Sequence, residues 1–245
     1  MSWMFPRRSG IRAPETREWI LGALYLPVFL FFLNFAILAY FPALGFPLTE
    51  PRNYFFANLL YMTVNFAVML LIFRRTLWQS LREFEGKMLL SVLIGFGMCY
   101  GANLVLTTAY TVLDIMPENY NQEAVNSLLG GYPLAMTLCT VVLAPLAEEC
   151  LFRGVLFAPL ARKCLPAAYA LSMFLFAGMH VFQFLGSMTA ANTILCLSLY
   201  LPASFSLCWV YQKTGNIWAC IFLHMFINFQ SVLASLLRSL MQAFL

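Results

Sequence analysis

After Glu123 the chain holds just two acidic residues, Glu148 and Glu149, and its whole length holds two histidines, His180 and His224. All four lie in, or at the end of, apolar runs. An ionisable side chain inside a membrane is costly, and such groups usually face the interior of a helix bundle or a wet cavity. Their types are those that general acid–base chemistry uses.

Three short patterns stand out. In Glu148-Glu149-x-x-x-Arg153, Glu149 and Arg153 are four apart and can pair on one helix face. Glu148 points about 100° away from Glu149, so it is free to act while its neighbour supports the site. A carboxylate partly withdrawn from water suits a general base near neutral pH. In Phe176-x-x-x-His180, the ring and the imidazole share a face. In His224-x-x-x-Asn228, two polar groups stack in one stripe and could together hold the negative charge that develops on a carbonyl oxygen. A glutamate base, a histidine that orients water and a His/Asn oxyanion pair make a complete set for amide hydrolysis.

Other readings compete for the same residues. Each group alone also fits a packing role, as a helix-end charge or an interhelical polar contact. Glu148, His180 and His224 could instead supply three zinc ligands and leave a position for water. No HExxH is present, however, and the ligands would come from three separate helices. A Ser/His/Asp triad from the second half is excluded because no aspartate follows Asp114, and GxSxG is missing. An intramembrane aspartyl protease needs two aspartates, and the chain has one. A small-solute transporter would usually show internal repeats, and none is seen. A non-catalytic membrane scaffold, or an immunity-type binding protein, is the rival from a different class.

The elements that must position these residues follow from composition. The chain is 62% hydrophobic and 10% charged over 245 residues, against roughly 25% charged in a soluble domain. The expected fold is therefore all-α: one polytopic membrane bundle of seven to eight helices over residues 1–245. A helix needs about 20 apolar residues to span, and seven such runs are read at 19–42, 54–73, 88–113, 128–149, 166–186, 190–211 and 216–240. RGVLFAPLARKC, after the fourth, is too short to span and reads as a partial helix at the interface. TLWQSLREFEGK reads as a short amphipathic helix or a polar loop, and DIMPENYNQEAVNS as an acidic loop.

Arg7, Arg8, Arg12 and Arg17 precede the first span. Arg74, Arg75, Arg82 and Lys87 follow the second, Arg153, Arg162 and Lys163 the fourth, and Lys213 the sixth. This alternation places the N-terminus in the cytoplasm. The basic residues serve topology and imply no nucleic-acid partner. The N-terminal stretch reads as a basic arm before a retained helix, not as a signal peptide. The seven cysteines are scattered in or near apolar runs with no CxxC spacing, so they read as small packing residues. One difficulty remains in these limits. Glu148 falls near the cytoplasmic end of its span, whereas His224 lies about 12 Å and His180 about 21 Å in from that side.

EECLFR, FAGMH and HMFIN, in this order on successive apolar helices, resemble the CPBP family: the CAAX proteases and bacteriocin-processing enzymes, also called the abortive-infection family. The phrase TGNIWACIFLHMFIN is similar to that family's entry into its last motif. The resemblance covers about residues 128–230, read as the catalytic core, and every motif position matches. It implies an intramembrane endopeptidase of the glutamate type, in which Glu148 activates water with help from His180. His224 and Asn228 would stabilise the oxyanion, with Glu149, Arg153 and Phe176 in support. It further implies a peptide or a prenylated protein C-terminus as substrate, while the composition makes the lipid bilayer the solvent and the short chain suggests a prokaryotic cell membrane as location. No cofactor is expected, with a divalent metal such as zinc as the alternative.

Overall fold

The computed structural model describes residues 11–243; Arg7 and Arg8 of the basic arm lie outside the described residues. Among those residues the chain is helical and without strands. Seven helices are long and apolar enough to cross a membrane: α1 (Thr16–Ala43), α2 (Pro51–Ile72), α4 (Lys87–Val112), α6 (Pro133–Ala161), α7 (Leu165–Ser187), α8 (Ala190–Thr214) and α9 (Ile217–Gln242). Helices suit a bilayer because they satisfy every backbone hydrogen bond within the segment. Two shorter helices complete the chain, α3 (Arg74–Arg82) and α5 (Tyr120–Gly131). Large apolar side chains such as Leu24, Phe35, Leu71, Leu90, Val105 and Leu134 point outward, as the lipid-facing side of a bundle requires.

The structure departs from the sequence reading in two places and decides an open alternative in a third, and the first matters most. The fourth span does not end at Glu149. It runs on through RGVLFAPLARKC to Ala161, so this stretch is no separate partial helix. Hydropathy ends the span at the charges, but Glu149 and Arg153 are fully buried there. Second, part of the acidic loop folds as α5, capped by Asn119, whose side chain accepts from the Gln122 N–H at 3.1 Å. Third, RRTLWQSLR forms a helix, which settles that segment in favour of the helical alternative.

Two stretches of α6, Cys139–Leu143 and Cys150–Phe157, wind with the wider π register. Proline accounts for both. Pro145 and Pro159 lack the N–H of an α-helical bond, and their rings crowd the carbonyl four residues back. The helix loosens just before each proline instead of breaking. Such π turns often occur at functional sites, and here they flank Glu148 and Glu149.

The core is built around α6 and α8. Half of the apolar window of each is buried, against 17–22% for α1, α2 and α4. Close approach at Gly95 seats α4 on this centre: a Cβ there would stand 2.6 Å from Val210 and 2.9 Å from Leu223. The last helix is pinned at its start. Gly215 takes a left-handed φ of 61°, which glycine adopts at little cost. Asn216 then accepts from the Trp218 N–H at 2.9 Å and donates to the Ser80 carbonyl of α3 at 2.6 Å. This is the structural work of the TGNIW segment. It fixes the rotation of α9, and with it the direction of His224.

Candidate active site

The extension of α6 moves Glu148 from the edge of its span to the middle, roughly 20 Å from either end at 1.5 Å per residue. That is about the depth of His180 in α7. The divergence between Glu148 and His180 expected from the sequence therefore disappears, because hydropathy ends the fourth span too early.

Glu149, Arg153 and His224 form one buried cluster. Arg153 donates through Nη1 to Glu149 Oε1 at 3.1 Å, and the His224 Nδ1 lies 2.8 Å from the same oxygen. A carboxylate oxygen only accepts, so Nδ1 carries the hydrogen. Arg153 also donates through Nη2 to the Ser204 carbonyl and hydroxyl of α8 at 3.1 and 3.2 Å, and its guanidinium stands 4.8 Å over the Phe176 ring. The paired Glu149 and Arg153 that the four-residue spacing predicts are thus present. Glu149 has in addition a second task that the spacing does not reveal, since it holds His224 from 75 positions away.

Glu148 faces the other way. Its Oε2 is 3.8 Å from Nε2 of His224 and has no hydrogen-bond partner within the protein. It lines a cavity of about 530 Å³ together with His180, Asn228, Thr140, Tyr61 and Tyr200. His180 holds Nδ1 at 2.9 Å from the Phe176 carbonyl. A carbonyl only accepts, so this imidazole is protonated at Nδ1, and Nε2 remains for the cavity. The Phe176 ring contacts both imidazoles, with centroids 5.0 Å from His180 and 5.5 Å from His224. Its shared face with His180 makes it a spacer between the two.

His224 and Asn228 share a helix face, as their spacing requires, but their surroundings differ. His224 is buried against the two glutamates. Asn228 lines the cavity and donates one Nδ2 hydrogen to the Thr140 carbonyl at 2.8 Å. That carbonyl belongs to the first π stretch of α6. Its second amide hydrogen remains for a ligand. Thr140, Tyr61, Tyr200 and the α5 residues Asn121 and Gln122 line the cavity and were not singled out from the sequence. No spacing pattern points to them, because they come from four helices, α2, α5, α6 and α8.

Among the described residues, no three His, Cys, Asp or Glu side chains gather as a metal ion requires. Of the three residues considered as zinc ligands, Glu148 and His224 face each other at 3.8 Å, but His180 does not join them as a third donor, so the set as placed does not fit zinc.

Comparison with known proteins places this geometry. Residues 130–230 match the family model described as "Type II CAAX prenyl endopeptidase Rce1-like". All three polar patterns fall inside that region. The chain is also similar to the Bacillus subtilis (strain 168) protein named "Putative membrane peptidase YdiL", with 28% identity over 166 residues. The match covers 66% of this chain and 64% of that relative, so about a third of the relative's length is not spanned. No solved structure matches the chain.

Proposed function

We propose that this integral membrane protein is an endopeptidase that hydrolyses a peptide bond inside the bilayer through water activated by Glu148. The observation that carries the reading is the Glu148 carboxylate, whose buried Oε2 has no protein hydrogen-bond partner, at the wall of a cavity that His180 and Asn228 also line. A free carboxylate oxygen can take a proton from water. His180, with Nε2 available, orients that water. Nucleophilic attack by the hydroxide on the peptide carbonyl then places negative charge on its oxygen. The free Asn228 amide hydrogen supplies one donor for that charge. His224, held by Glu149 through Nδ1, supplies the other from Nε2. The Glu148 proton finally passes to the leaving amine.

The similarity to CAAX-type enzymes supports prenylated or other small peptides as substrates. The basic connections Arg74–Lys87 and Arg162–Lys163 support a cytoplasmic N-terminus, and the bacterial relative supports a prokaryotic cell membrane. The test uses the purified full chain in nanodiscs with a fluorescence-quenched farnesylated CAAX peptide and a non-lipidated control peptide. Glu148→Gln should lower turnover by about 10²- to 10⁴-fold, the usual contribution of a general base. His180→Ala should lower it as well. Full activity in either variant would sink the mechanism, and a chelator series in the same assay tests metal dependence.

A second reading has its own support. Glu149, Arg153 and His224 are bonded mainly to one another, as in a packing cluster of a non-catalytic scaffold. Under that reading Glu148→Gln would melt at a different temperature, and the wild type would release no peptide product.

A further inference from the structure

His180 needs more than its own helix to act. An imidazole turns broadly about its second side-chain torsion. The Phe176 carbonyl restrains one nitrogen of His180 but leaves the ring plane free to tilt about that bond. The second restraint comes from α8. The Tyr200 ring is stacked on His180, with centroids 4.5 Å apart and planes within 20°.

Tyr200 is itself held at its far end. Its hydroxyl donates to Asn119 Oδ1 at 3.0 Å and accepts from Asn121 Nδ2 at 3.2 Å. Asn119 is also the cap of α5. One turn and two turns earlier on α8, Cys196 and Asn192 grip the same connection. Asn192 accepts from the Glu118 N–H at 2.9 Å and donates to the Glu118 carbonyl at 3.0 Å, while the Cys196 thiol donates to that carbonyl at 3.1 Å. Residues 192, 196 and 200 thus form a single helical stripe that clamps residues 118–121. The last of the three rests on His180.

We propose that Tyr200 is a positioning residue for His180. The ring fixes the imidazole plane, while the hydroxyl ties α8 to the capped start of α5. The consequence for turnover rests on the peptidase reading above; the positioning itself does not. With Tyr200 in place, His180 keeps one tautomer and one orientation. Without the ring, the imidazole samples others and loses its aim at water.

The chain's two histidines allow this to be read directly. The full chain is labelled with ¹⁵N-histidine in nanodiscs, and two-bond ¹⁵N–¹H correlation spectra report the tautomer of each imidazole. A His224→Gln sample assigns the signals. Wild type and Tyr200→Phe should show His180 as the Nδ1-protonated tautomer alone. Tyr200→Leu and Tyr200→Met should show averaged shifts for His180 while His224 keeps its signals, which also reports an intact fold. In the peptide assay, Leu and Met should lower kcat roughly tenfold to hundredfold with KM unchanged, and Phe should restore it. An unchanged His180 spectrum in the Leu and Met variants overturns the proposal. So does loss of folding in both while Phe folds, since the ring would then serve packing alone. If the wild type cleaves no peptide, the peptidase reading fails and the tautomer measurement still decides the role of Tyr200.

Discussion

Helices α1, α2 and α4 and helices α6 and α8 are all apolar enough to span a membrane, yet they solve different problems. The first three bury 17–22% of their apolar windows, and the latter two bury half. The outer helices carry few buried polar groups, such as Asn65 and, at the boundary, Glu18. Glu18 accepts from the backbone N–H groups of Arg75 and Thr76 and from the Thr76 hydroxyl, so it caps the start of α3. In α6 the charges sit at the centre of the bundle and of the span. Glu149 and Arg153 have no exposed surface, and Glu148 has 9%. The difference separates a charge that ends a helix from one that a fold surrounds. A bundle tolerates the second kind only when each group is paired, or when one is left open to a ligand.

The largest expected effect tests the surrounded charges. Arg153→Met removes the cation beside Glu149 and leaves a carboxylate buried in the core. Glu149 keeps its bond to His224, and removing one partner of a buried ion pair in this way costs about 3–5 kcal/mol. The double variant Glu149→Gln/Arg153→Met should recover much of that loss, because a neutral pair of similar volume replaces a broken ion pair. Thermal unfolding is measurable with a thiol-reactive fluorophore, since six of the seven cysteines are buried and become reactive only as the bundle opens. Equal stability in wild type and Arg153→Met would erase the distinction drawn between the two regions.

How much of this was legible in the sequence follows the same division. Seven spans were readable from apolar length alone. The Glu149–Arg153 pair was readable too, because residues four apart on a helix are neighbours whatever surrounds them. The end of α6 was not. Hydropathy scores Arg153 as a helix end, and only the partners Glu149, Ser204 and Phe176, two of them on other helices, make its burial possible. For the same reason the bond between His224 and Glu149 could not be seen. His224 and Asn228 looked like one unit because they share a face, but α6 presents a carboxylate to one and a carbonyl to the other. Position along a helix was legible; the neighbour across the interface was not.

A smaller effect tests how an outer helix seats on the centre. Gly95→Ala would bring a methyl group against Val210 and Leu223 at distances below van der Waals contact. Overpacking of this kind costs about 1–3 kcal/mol. Gly97→Ala, on the same helix, meets nothing within 4 Å, and removing a flexible glycine from a helix interior there should leave stability equal or raise it by up to about 1 kcal/mol. The two melting curves, read side by side, separate steric closeness from helix propensity. Similar losses at both positions would mean that α4 does not pack on the centre through Gly95.

Next comes the joint between the regions. Asn216→Ala removes the cap of α9 and the bond to Ser80, and losing a cap costs about 0.5–2 kcal/mol. Because this residue sets the rotation of α9, the ¹⁵N signals of His224 should also move, although Asn216 lies two turns away. Loss of stability with unchanged His224 signals would confine Asn216 to capping.

The smallest effect belongs to the exposed counterpart of the buried pair. Arg75 donates to Glu15 at 2.9 Å, and both side chains are largely open, at 61% and 42% of full exposure. Water screens such a pair and the long side chains lose freedom on pairing, so its worth is about 0–1 kcal/mol. Arg75→Met also keeps the backbone N–H that donates to Glu18, so the start of α3 stays capped. Its melting temperature should therefore stay close to wild type, and added salt should narrow the gap. The same arginine-to-methionine change is expected to be severe at 153 and slight at 75. If the loss at 75 approached that at 153, burial would not be what distinguishes the two regions, and Arg153 would matter only as one ion pair among others.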